Sequence, residues 1–268
     1  MRCVPMYLIA GAIALASWNA FAQSGQIDRK AVRDAIHKLK SPNPEEVLMS
    51  IQVLAASGSA DAVGPLTDLL RTGPRNDITN SSLQALGSIG HKNSVAILLE
   101  YLEHRRPDAR VAALYAIESL NDPRITAAIE NRLRDSDGQV RSTAALSLGK
   151  RNSKTSVNIL FQAFDRGVHD AAIAIGQIGG TTDAERMAQY LGKADMRVLL
   201  PGFDEFLRRK EFPEKGKLKI LEQLFELAGP DVRRFAVAYK ASFPQNTEED
   251  SNALFKMVSR MVRQIAEE

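Results

Sequence analysis

Cysteine is almost missing from this chain: Cys3 is the only one in 268 residues. A disulfide framework needs pairs and is excluded. Aromatic residues make up only 6%, and the one tryptophan, Trp18, lies near the N-terminus. No stretch alternates β-branched and polar residues between turn signals, so the sequence offers no basis for a sheet. The formal net charge is +3. That balance gives no basic footprint, and no nucleic-acid partner is expected. The four histidines, His37, His91, His104 and His169, are scattered and make no His-x-x-x-His pair, so no metal ligand is nominated. G-x-S-x-G, a P-loop, H-E-x-x-H and a G-x-G-x-x-G after a strand are all absent. No catalytic residue, cofactor or enzymatic activity is therefore expected.

The chain is rich in small and medium apolar residues. They reach 44% in total, with Ala and Leu carrying most of the load. This composition favours close helix–helix packing and an all-α fold.

The N-terminal segment, Met1 to Ala22, has a different character. Arg2 is a short positive region, residues 4–16 ("VPMYLIAGAIALA") are apolar, and Ala20 to Ala22 ("AFA") put small residues at both recognition positions of a cleavage site. This pattern is that of a secretory signal peptide (1–22) cleaved after Ala22. The apolar run is shorter than the roughly 20 residues a membrane helix needs, so no stable span is expected after cleavage. A lipoprotein is excluded, because Cys3 precedes the apolar run. The expected location is the periplasm or the outside of the cell. There a chain left without cysteine has no thiol to oxidise, and loss of Arg2 takes the net charge from +3 to +2.

The rest of the chain repeats itself. "LGSIGHKNSVAILLEYL" (86–102) and "LGKRNSKTSVNILFQAF" (148–164) align without a gap. "LAASGSADAVGPLTDLL" (54–70), "IESLNDPRITAAIENRL" (117–133) and "IGQIGGTTDAERMAQYL" (175–191) follow the same template. The spacing of the five copies is nearly constant and shortens only between the last two. Each copy reads as the end of one helix, a short turn and a second helix. Leu98 with Leu102, Ile129 with Leu133, and Leu160 with Phe164 fall at i, i+4 and define the buried stripe of the second helices. Gly90 and Gly179 stand where a positive φ would end a helix, and "GQIGG" (176–180) reads as a turn. Asp77, Asp108 and Asp137 stand at starts of first helices, where carboxylates favour exposed N–H groups. A helix pair of this length cannot bury its apolar face alone, so neighbours must stack and the ends must be capped.

The run Asp137 to Gly149, "D-x-x-V-R-x-x-A-A-x-x-L-G", resembles the short HEAT repeats named after phycobilisome bilin lyases. Val140-Arg141 keeps the Val-Arg pair, residues 109–110 hold Ala-Arg, and residues 78–79 hold Ile-Thr. The resemblance implies a right-handed α-solenoid of stacked antiparallel helix pairs with helical caps at both ends. The expected organisation is a signal peptide (1–22), an N-terminal cap helix (23–43), five repeats (44–192), and diverged repeats with a C-terminal cap (193–268). In that last part Thr247 and Asp250 read as a capping box, followed by a stripe of Leu254, Val258, Met261, Val262 and Ile265. Seven of the ten phenylalanines also fall there. They read as core or, alternatively, as a groove for a partner helix.

Function is read from the surface. Stacked in register, the second helices present Asp68, Glu100, Asn131, Gln162 and Gln189, an acceptor-rich row that HEAT-type geometry would place on the concave side. The favoured reading is a monomeric, non-enzymatic scaffold that binds a protein partner along this row. The alternatives are a structural envelope component and a metal-dependent oxidoreductase or lyase subunit. Deoxyhypusine hydroxylases, which resemble this repeat, hold iron through His-Glu dipeptides, whereas the four histidines here precede Lys, Lys, Arg and Asp. A second row, Arg71, Glu103, Arg134 and Asp165, alternates in sign and reads as an inter-repeat ion-pair ladder. Two basic runs, "HRR" at 104–106 with Arg110 nearby and "RRKEFPEKGKLK" at 208–219, read as solvated turns or, alternatively, as non-specific attraction to anionic envelope polymers or lipid headgroups.

Overall fold

A computed structural model describes residues 29–245, 247–249 and 252–265. The expected signal peptide at 1–22 and Asp250 of the expected capping box lie outside the described residues. Among the described residues there are fifteen α-helices and no strand. A first helix, α1 (Arg29–Lys38), stands before seven helix pairs. The pairs are α2 (Pro44–Ser57) with α3 (Val63–Arg71), α4 (Asn76–Ile89) with α5 (Val95–Leu102), and α6 (Pro107–Ile117) with α7 (Pro123–Arg132). They continue as α8 (Gly138–Lys150) with α9 (Val157–Asp165), α10 (Ala171–Ile178) with α11 (Thr181–Ala188), α12 (Met196–Arg208) with α13 (Glu214–Glu226), and α14 (Pro230–Lys240) with α15 (Ala253–Gln264). This is an all-α fold of the α-solenoid type.

The chain divides into two compact units, one running to Tyr101 and the other starting at Leu102. In the first unit α1 packs on α2, and α2 on α4. Leu54, Leu66, Leu83, Leu86 and Leu98 are fully buried there. In the second unit α6 packs on α8, α8 on α10, α10 on α12, and α12 on α14, while α11 packs on α13 and α13 on α15. Ile129, Leu133 and Leu160 are fully buried, and Phe164 is 9% exposed. The i, i+4 stripe of the second helices is thus the core stripe. Each buried Leu or Ile contributes roughly 1.5–3 kcal/mol by leaving water.

Turns within the pairs share a local design. Gly58, Gly90 and Asn152 follow the first helices of their pairs with φ of 60°, 67° and 52°. Glycine takes this left-handed conformation without penalty, and asparagine is among the few side chains that tolerate it. The residue after each glycine then caps a short 3₁₀ turn: Ser59 accepts from the Asp61 N–H at 3.3 Å, and His91 Nδ1 from the Asn93 N–H at 3.3 Å. His91 is therefore a helix cap.

Three sequence readings are corrected and one is refined. Gly179 has φ −68°, so extended backbone ends α10, which fits the shorter spacing of the last two copies. "GQIGG" is only partly a turn, because Gly176 lies inside α10. Of the three aspartates, Asp137 alone is an N-cap, accepting from the Gln139 and Val140 N–H groups. Asp77 and Asp108 sit inside the first turn, where the reading put them; Asp77 accepts from the Ile78 N–H at 2.9 Å, and the two pair with Arg75 and Arg106. The last helix is capped by Asn252, which accepts from the Phe255 N–H at 3.0 Å, and not by Thr247.

Glycine inside α10 has a steric reason. A β-carbon on Gly176 would lie 2.1 Å from the Gly202 carbonyl oxygen, and one on Gly202 would lie 2.5 Å from the Ala172 oxygen. Helices α10 and α12 therefore cross at backbone contact. Gly149 makes the same kind of approach between α8 and α10, since a β-carbon there would lie 3.1 Å from the Ala174 α-carbon.

The phenylalanine-rich C-terminal part is packed. Phe203 and Phe206 are fully buried, and Phe206 meets Phe212 at 4.9 Å between ring centroids. Tyr239, Phe243 and Phe255 form a chain of ring contacts at 5.4 and 5.3 Å. These rings fill space between helices.

Candidate functional site

Long arginine side chains fasten the repeats, some to the loop entering their own helix and others to the preceding pair. Arg110 Nη1 donates to the His104 and Arg105 carbonyls at 2.8 and 3.3 Å. Arg141, at the equivalent place in the next pair, donates in the same way to the Asp135 and Ser136 carbonyls at 2.8 and 3.0 Å. The arginine of the Val-Arg pattern thus fastens the loop that enters its own helix. Arg151 Nη1 reaches back to the Ile117, Glu118 and Leu120 carbonyls at 3.1, 2.7 and 2.8 Å. Arg209 does the same for Gly176 and Gly179 at 2.9 and 2.8 Å. The last carbonyls of a helix have no partner in their own helix, and in these pairs the next pair supplies it.

One such loop becomes a buried charge network in the second unit. Arg110 Nη2 donates to Asp135 Oδ1 at 2.5 Å, with the two side chains only 9% and 4% exposed. Arg132 lies 3.5 Å from the other Asp135 oxygen and 2.7 Å from Glu103, and it donates to the Leu102 carbonyl at 3.0 Å. Burial pushes the Asp135 carboxyl up. The hydrogen bonds from Arg110 and the Asp137 N–H, with the charges of Arg110 and Arg132, outweigh that and hold it below the ordinary carboxylate value. These groups border a cavity of about 360 Å³, which also takes in Arg105, Asn131 and Arg134. His104 lines it too, and its Nδ1 accepts from the Arg106 N–H at 3.2 Å. Burial, then the charges of Arg106 and Arg105, lower the pKa of that ring and favour its neutral form.

The five residues nominated for partner contact are all exposed: Asp68 and Glu100 in the first unit, Asn131, Gln162 and Gln189 in the second. Each lies in the last turn of a second helix or, for Gln189, just beyond it. Asp68 pairs with Arg71 one turn along at 3.7 Å, with both side chains largely exposed. It also borders a groove of about 430 Å³ lined by Ile36, Leu39, Pro65 and Leu69. The structure thus gives Asp68 an apolar neighbourhood that the sequence does not signal.

Among the described residues of the second unit, the expected charge ladder is not formed. Arg71 pairs within its own helix, Glu103 takes Arg132 instead of Arg134, and Asp165 accepts from the Tyr190 hydroxyl at 2.6 Å. Carboxylates held by cations recur elsewhere. Glu118 faces Lys150 at 3.3 Å and accepts from Ser147 at 2.8 Å. The Arg124 side chain and N–H lower the Asp122 pKa to about 2. Among the described residues, no group of three or more His, Cys, Asp or Glu is placed to hold a metal ion, and no helix is long and apolar enough to cross a membrane.

Residues 95–175 match the family model of HEAT repeats, in agreement with the helix pairs found there. No curated protein matches the chain. Among solved structures, the complex of CpcE and CpcF of phycocyanin lyase from Nostoc sp. PCC7120 is similar at 17% identity, with 90% of this chain and 96% of that chain covered and a TM-score of 0.48. Human deoxyhypusine hydroxylase in complex with glycerol is similar at 14% identity, covering 87% of this chain and 96% of that one, with a TM-score of 0.43. An engineered protein gives 14% identity, the same coverages and a TM-score of 0.40.

Proposed function

We propose that this chain is an exported, non-enzymatic helical-repeat scaffold that binds a protein partner through the exposed C-terminal ends of its second helices. The observation that carries the reading is the division of labour within those helices. Leu66, Leu70, Leu98, Leu102, Ile129, Leu133, Leu160 and Phe164 are spent on the core, while Asp68, Glu100, Asn131, Gln162 and Gln189 are exposed at equivalent places. Within each unit, repeated hydrogen-bonding groups on successive second helices make a recognition surface. In the first unit the groove beside Asp68 adds apolar area, which a partner can bury. The partly buried carboxylates Asp135 and Glu118 are engaged by Arg110, Arg132 and Lys150. General acid or base work calls for a carboxyl with a raised pKa, and that of Asp135 is lowered.

Affinity capture from an envelope fraction of the native source, comparing wild type with Asp68→Lys/Glu100→Lys, tests the reading. The double variant is expected to lose the partner and keep the wild-type melting midpoint. Exposed substitutions shift stability by no more than about 0.5 kcal/mol, whereas charge reversal turns attraction for a basic partner into repulsion. Equal capture by both proteins would contradict the assignment.

A further inference from the structure

We infer that the cavity bordered by Arg105 and Arg134 in the second unit is a binding site for a phosphate dianion. Its floor is the Arg110–Asp135–Arg132–Glu103 network, in which two carboxylates face two guanidinium groups. Arg105 and Arg134 add two further positive charges at the same cavity. Both are exposed, and neither guanidinium makes an ion pair among the described residues. Four arginines against two carboxylates leave a surplus of two positive charges around about 360 Å³.

The two floor arginines are held in place by the chain itself, Arg110 by the His104 and Arg105 carbonyls and by Asp135, and Arg132 by the Leu102 carbonyl. Guanidinium forks match the paired oxygens of a phosphoryl group. The surplus of two charges matches a dianion. Asn131 borders the same cavity with an amide that can donate.

Glu103 is the group that opposes an anion here. Its side chain is 67% exposed and is tied to Arg132, so it can turn toward water, whereas Arg110 and Arg132 stay held by carbonyls of the chain. Asp135 is locked beneath by Arg110 and by the Asp137 N–H at 3.0 Å. The sequence marks "HRR" only as a solvated turn or a non-specific anion attraction, because Arg132 and Arg134 come from the following pair.

Titration of the full chain with inorganic phosphate by calorimetry tests it, alongside Arg105→Ala/Arg134→Ala. Both variant sites are exposed and outside any ion pair, so the double variant is expected to melt like wild type. Phosphate is expected to bind saturably, and the double variant to bind at least tenfold more weakly. A parallel arm measures co-sedimentation with phosphatidylcholine vesicles, with and without phosphatidic acid. Phosphatidic acid-dependent sedimentation lost in the double variant would assign the phosphate to a lipid headgroup. Phosphate binding without it would assign a free phosphate. Neither interaction in wild type, or both retained in the double variant, would overturn the inference.

Discussion

Gly176 and Gly202 meet backbone to backbone: a β-carbon on the first would lie 2.1 Å from the carbonyl oxygen of the second. This contact sets how closely α10 and α12 stack. Gly176→Ala forces the two helices apart and is expected to destabilise the protein by about 1–3 kcal/mol, as overpacking does. The control is Gly64→Ala in α3, where a β-carbon would meet nothing within 4 Å. That change is expected to be neutral or to stabilise by up to about 1 kcal/mol, because alanine favours helix. Urea unfolding of the two variants checks the contrast.

Arg110 and Arg141 fasten their loops in the same way but differ in burial. Arg110 adds the Asp135 ion pair and is 7% exposed, whereas Arg141 is half-buried. Arg110→Ala leaves a buried carboxylate without its main counter-charge and is expected to cost about 3–5 kcal/mol. Arg141→Ala is expected to cost about 1 kcal/mol. Equal losses in denaturant unfolding would mean that the ion pair adds nothing to the loop contacts.

The lowered Asp135 pKa makes a pH prediction. Folding holds this carboxyl below its ordinary value of 3.8, so between the two values the folded state binds fewer protons than the unfolded one. Its stabilisation is complete above the unfolded pKa and is lost as pH falls through the folded one. The melting difference between wild type and Asp135→Asn is therefore expected to be large at pH 7 and to shrink below about pH 4. Melting curves from pH 7 down to about 2.5 measure it, and a constant difference would contradict the charge assignment.

Export is tested separately. Protein purified from the native source is expected to begin at Gln23, to show no tryptophan emission once Trp18 is gone, and to carry no disulfide. Intact-mass measurement decides, and a mature chain that retains Met1 would contradict cleavage after Ala22.

The period is legible because the core is written in it. Leu98 and Leu160, which i, i+4 spacing alone marks as buried, are both fully buried. What stays hidden depends on distances between pairs. Arg151 and Arg209 look like surface charges until the preceding helix end is placed beside them. Gly176 reads as a turn because Gly179 and Gly180 follow it, while its real constraint, Gly202, belongs to the next helix pair. The ladder fails for a related reason. Sign alternation places Arg134 against Glu103, but Arg132 already occupies that carboxylate and reaches the Leu102 carbonyl as well. A one-dimensional register cannot rank two arginines so close in the chain.

Contact between a partner and the exposed ends of the second helices can be trapped by site-specific photo-crosslinking. A benzophenone side chain is placed at residue 131 or 162, and at residue 115 as the comparison. Tyr115 is 52% exposed on first helix α6, with Lys150 over its ring at 5.5 Å. After irradiation in the native envelope fraction, residues 131 and 162 are expected to give the same discrete protein adduct. That adduct should disappear when excess unmodified chain competes, and residue 115 should give none. Adduct at residue 115 with none at residues 131 and 162 would contradict the assignment of the interface to the second helices.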